Sequence, residues 1–109
     1  MAWTYLALAG CFEIAWAVGL KYTVGLTRPW PTIGTVAAML ASFWFLALAA
    51  RSLPIGTAYA VWTGVGVIGT TVLGVILFNE PRDWQRAFFV SMILVGIIGL
   101  KLAGVPAPT

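Results

Sequence analysis

The sequence predicts an all-α membrane protein built from four transmembrane helices. Three observations carry that expectation. The chain of 109 residues is 61% hydrophobic and only 8% charged, with a mean hydropathy of +1.00, whereas soluble domains are about a quarter charged and at most about half apolar. Its apolar residues fall into four runs, each close to the roughly 20 residues a helix needs to cross the hydrocarbon core. Apart from Glu13 and Lys101, its charges sit in or beside the gaps between those runs. A backbone in lipid has no water to bond, so runs of this length must be helical.

The first run extends from Ala2 to about Leu20 and is followed by Lys21. No Lys or Arg precedes it and it contains Glu13, so it is expected to be retained as a span rather than removed as a signal peptide. The second runs from about Pro31 to Ala50 and is closed by Arg51; the third from about Pro54 to Phe78, closed by Asn79-Glu80-Pro81-Arg82-Asp83; the fourth from about Arg86 to Val105. The connections are short, and Arg51-Ser52-Leu53-Pro54 is close to the minimum for two antiparallel helices. The tail Val105-Pro106-Ala107-Pro108-Thr109 is expected to be disordered. One domain, residues 1–109, accounts for the whole chain.

Orientation is weakly specified. The N-terminus, second loop and C-terminus share one side with Arg51 and Lys101, while the first and third loops share the other with Lys21, Arg28, Arg82 and Arg86. So small a bias would place both termini outside or allow insertion in both directions. Transporter folds commonly set two inverted repeats around a midplane site, and this chain has the size of one repeat. An antiparallel, dual-topology homodimer is the economical solution.

Composition excludes several function classes. Histidine is absent and Cys11 is the single cysteine, which removes most metal-site and Cys/His nucleophile chemistry. No cofactor is expected, no nucleophile–base pair points to an enzyme, and six basic residues scattered at span ends do not form a nucleic-acid surface.

Glu13 is the residue that asks for a function. A carboxylate at mid-span costs about 2.5–3.5 kcal/mol by insertion scales for Asp, and intramembrane ionisable groups are functional by default. Lys101 is nearer a span end and can reach the interface, so no cation in the spans neutralises Glu13 permanently. It must hold a proton or pair with a cation that comes and goes. Two ligands competing for one carboxylate couple their fluxes if the site faces one side at a time.

The face around Glu13 reads Leu6, Ala9, Gly10, Glu13, Trp16, Ala17, Leu20. Ala9, Gly10 and Ala17 allow close helix approach, and Gly10 is counted with the site. Trp16, one turn on, can donate its indole N–H to the carboxylate or serve as a membrane-interface residue; its depth favours the first. On the third helix Tyr59 and Trp62 are one turn apart, either an aromatic wall for a cation or a packed pair. Gly64 and Gly66 read as a hinge or as close-packing positions with equal force. Ser42 is the polar residue at the middle of the second helix, placed either to serve the site or to bond back to its own backbone. Met92, Gly96, Gly99 and Ala103 form a small-residue stripe on the fourth helix, assigned to dimerisation.

The segments Phe12-Glu13-Ile14-Ala15-Trp16-Ala17 to Leu20-Lys21-Tyr22, Thr27-Arg28-Pro29-Trp30-Pro31, Ser42-Phe43-Trp44, and Pro54-Ile55-Gly56-Thr57-Ala58-Tyr59-Ala60-Val61-Trp62-Thr63-Gly64-Val65-Gly66 resemble the small multidrug resistance family. The resemblance runs from the first helix to about Lys101. It implies a multi-pass protein of the bacterial inner or plasma membrane, an antiparallel dimer with two Glu13 side chains in a shared pocket, and cation/proton antiport. Trp16 and the Gly99-Leu100-Lys101 segment look like the guanidinium-exporting branch, whose pocket corresponds here to Glu13, Trp16, Ser42, Tyr59 and Trp62. Guanidinium, planar and rich in N–H donors, pairs bidentately with a carboxylate. The expected partners are therefore guanidinium or related small organic cations, protons, lipid and a second copy of the chain. A promiscuous quaternary-ammonium exporter is the alternative within transport, a paired heteromer the alternative assembly, and an accessory membrane subunit the alternative outside transport.

Overall fold

The computed structural model describes residues 1–104 and contains four helices: α1 (Ala2–Tyr22), α2 (Pro29–Ala50), α3 (Ile55–Phe78) and α4 (Trp84–Ala103). All four are long and apolar enough to cross a membrane. The tail expected to be disordered, with Val105 at its start, lies outside the described residues. Helix ends differ from the expected spans by a few residues for local reasons. α1 continues through Lys21 to Tyr22. α2 begins at Pro29, because proline suits the first helical position, where its missing N–H has no intrahelical partner to lose. α4 begins at Trp84 because the Asp83 side chain accepts from the Arg86 backbone N–H at 2.7 Å. Gly104, with φ of 62°, closes it.

The turns are fixed by few contacts. Thr23 is fully buried; its hydroxyl donates to the Leu20 carbonyl at 2.8 Å and accepts from the Leu26 N–H at 3.1 Å. In the third loop Asn79 takes a left-handed conformation and Arg86 pairs with Glu80 at 3.2 Å. That pair is a third exposed on each side, so it orients the loop and adds at most about 1 kcal/mol.

α1 is the centre of the fold, packed on both α2 and α3, whereas the α4 backbone packs against α3 and reaches α1 through the Lys101 side chain. Stacked rings join α1 to α2: Phe12 and Phe45 lie 5.8 Å apart, and Tyr5 and Phe45 6.2 Å apart. Small residues bring α1 and α3 together, since a Cβ on Gly10 would run into Val65 and one on Gly69 into Ile14. The chain measures 44 × 34 × 17 Å. No described residue of α4 is buried, and many large apolar side chains, among them Leu40, Trp44, Ile76 and Val95, face outward. In a soluble protein this surface would be untenable; a bilayer solvates it.

Candidate functional site

Glu13 lies on the α1 face turned to α3, and its carboxyl rests directly over Gly66, where any Cβ would collide with it. Its Oε1 is buried and has no hydrogen-bond partner among the described residues. The carboxyl borders an open cleft of about 330 Å³ between the two helices, lined also by Ala17, Thr63, Gly66, Thr70 and Thr71. A carboxyl with an unused acceptor at mid-span is suited to a cation or a proton rather than to holding helices together.

Ser42 and Trp62 form a second, separate constellation. The Trp62 indole N–H donates to the Ser42 hydroxyl at 2.8 Å, and that hydroxyl donates to the Ala9 carbonyl at 2.7 Å. Ser42 is fully buried and Trp62 is 7% exposed. The relay ties α3 to α2 to α1 one turn ahead of Glu13. Ser42 thus bonds across helices rather than back to its own. Interhelical bonds in membranes average about 0.6 kcal/mol, so the relay contributes position more than stability. Trp62 is flanked by Tyr59 at 5.6 Å and Phe43 at 5.7 Å between ring centroids. Tyr59 is 57% exposed, so its ring faces out of the chain.

Trp16 departs from expectation. Its indole N–H is buried without a partner among the described residues, so the bond to Glu13 is not made within one chain. The reason is direction: the carboxyl is turned across to Gly66 of α3, away from its helical neighbour. Gly10 seats Val65 and does not line the Glu13 cleft. Gly64 and Gly66 lie within unbroken helix, each at a close approach, Gly64 to Ile93 and Ile97 of α4 and Gly66 to Glu13. Lys101 places its ammonium 5.7 Å from the centre of the Trp3 ring, near the α1 start.

The family model described as Small Multidrug Resistance protein matches residues 1–93. The chain belongs to the small multidrug resistance family. Among its relatives, a protein of Yersinia pseudotuberculosis named guanidinium exporter is 53% identical over 103 residues, covering 94% of this chain and 99% of that one. Proteins of the same name from Proteus vulgaris and Escherichia coli strain K12 are 52% and 50% identical, over 94% of this chain and 99% and 98% of their own. As a member of this family the chain is a multi-pass membrane transporter and not an enzyme.

Thr63, Thr70 and Thr71, none of them expected from the sequence as site residues, line the cleft with Glu13. A signal was present: Thr63, Gly66 and Thr70 share one helical face. Threonine in a span usually bonds its own backbone, and that habit hid them.

Proposed function

We propose that this protein exports guanidinium in exchange for protons, with Glu13 as the group both ligands share. The observation that carries the reading is the Glu13 carboxyl, buried at Oε1, unpartnered and bordering a cleft between two membrane-spanning helices. The relatives named guanidinium exporter, half or more identical along almost the whole chain, supply the substrate. Protonated Glu13 closes the site to cations; arrival of guanidinium favours the ionised carboxylate and displaces the proton. In this reading Trp16, Ser42, Tyr59 and Trp62 complete the site from a second constellation beside the carboxyl, Gly10 lets α1 and α3 approach, and Gly66 makes room for the carboxyl itself, with Gly64 doing the same for α4.

The working unit in this reading is an antiparallel homodimer in the inner membrane of a bacterium. The unburied surface of α4, whose backbone packs only against α3, and the open space beside Gly96 and Gly99 support a second copy against this face. Outward-facing Tyr59 would then complete the partner's pocket. The weak charge bias between the two sides supports opposed orientations. Cysteine cross-linking along α4 should join opposite ends of the two α4 helices; links joining only like ends would rule the arrangement out.

The transport reading is tested with purified protein in liposomes under an imposed pH gradient. Guanidinium should accumulate on the acidic side, and tetraethylammonium, which has no N–H donors, should be moved poorly. Preference for tetraethylammonium would favour the multidrug alternative.

A further inference from the structure

We infer that Thr63 and Thr70 are binding residues that read the outer N–H groups of the planar cation held by Glu13. The inference rests on the guanidinium-exporter reading and deepens it. Gly66, beneath the carboxyl, lies three residues after Thr63 and four before Thr70, so the two threonines stand about 4.5 and 6 Å from it along the axis at 1.5 Å per residue. They bracket the carboxyl on a shared face, and both line its cleft.

Their hydroxyls are set apart by burial without a bond. Two other helical hydroxyls bond back one turn, Thr32 to the Arg28 carbonyl at 2.6 Å and Ser91 to the Ala87 carbonyl at 2.7 Å, and the Ser42 hydroxyl bonds across to α1. Thr63 and Thr70 make no such bond, and their Oγ1 atoms are buried without a partner among the described residues. A buried hydroxyl without a partner costs about 1–3 kcal/mol, so the cleft favours a ligand that satisfies it. The Ser42 hydroxyl does not compete for this role, because it is already engaged to Trp62 and Ala9.

Guanidinium fits this arrangement by its donor count. A carboxylate takes two of its N–H groups in a bidentate pair and leaves the others pointing away. In this inference the Thr63 and Thr70 hydroxyl oxygens, on turns to either side of the carboxylate, accept them. A quaternary ammonium supplies no donor and would leave both hydroxyls unpaired, so the same pair of threonines selects against it.

The test uses full-length protein in liposomes and compares the wild type with Thr63→Val, Thr70→Val and Thr70→Ser. Valine keeps the shape and removes the acceptor. Each valine variant should raise the KM for guanidinium about tenfold or more, the effect of one hydrogen bond to a charged donor, with kcat changed much less, and Thr70→Ser should restore the wild-type KM. The penalty should shrink for tetramethylguanidinium, whose single NH2 group supplies two N–H donors, too few for Glu13 and both threonines. Valine variants within twofold of wild-type KM, or a serine variant as impaired as the valine one, would overturn the inference while leaving guanidinium export intact. If Thr70→Val cannot be recovered folded, Thr70→Ala carries the same comparison. Wild-type protein that moves no guanidinium overturns the exporter reading itself, and the inference with it.

Discussion

Glu13→Gln should abolish proton-coupled guanidinium transport while leaving the helices assembled. Glutamine has nearly the same shape, so its amide can occupy the place over Gly66. It has no charge for the cation and no proton to exchange. Breaking a buried charge pair by removing one partner costs about 3–5 kcal/mol, at least a hundredfold in affinity at about 1.4 kcal/mol per tenfold. Assembly should not suffer, because no described protein group bonds Oε1 in the native chain. Uptake into liposomes, alongside thermal unfolding in detergent, separates the two effects. Retained pH-driven uptake in the variant would remove Glu13 from the mechanism.

The second large effect is expected at Gly66. Alanine in place of a mid-helix glycine normally stabilises a helix by up to about 1 kcal/mol. Here the added Cβ falls on the Glu13 carboxyl and the side-chain atoms behind it, so the carboxyl must leave its seat. Gly66→Ala should therefore weaken guanidinium binding by roughly tenfold, about 1.4 kcal/mol, and Gly66→Val should weaken it further. Gly64→Ala is the control: its Cβ meets Ile93 and Ile97, so it should disturb α3–α4 packing and stability more than affinity. Equilibrium binding decides between close approach and hinge. A hinge glycine would slow turnover with affinity unchanged, and unaltered affinity in Gly66→Ala would place the carboxyl elsewhere.

The four spans were legible because lipid leaves a chain few options: apolar length and the position of charged residues determine where helices run. Helix ends were less so, since Pro29 and Asp83 act through local capping rather than hydropathy. Glu13 stood out on cost alone. Its neighbours were harder, because periodicity identifies which residues share a face but not which helix that face meets. Trp16 shares the face of Glu13, yet the carboxyl turns across to Gly66 and the indole is left without it. Ser42 and Trp62 were both singled out, but that one donates to a backbone carbonyl while accepting from the other follows only from the packing of three helices. Thr63 and Thr70 share a face with Gly66, but nothing in the sequence separates a threonine bonded to its own helix from one whose hydroxyl is left without a partner.

The central claim is that one carboxylate serves guanidinium and protons in turn. The most direct measurement is proton release when guanidinium is added to the purified protein in weakly buffered detergent solution, below the pH at which Glu13 ionises by itself. The account predicts that protons appear as guanidinium binds, that the affinity for guanidinium weakens as pH falls, and that the release is absent from Glu13→Gln. Guanidinium binding with no proton released, at an affinity flat across pH, would show that the two ligands do not share Glu13 and would contradict the account.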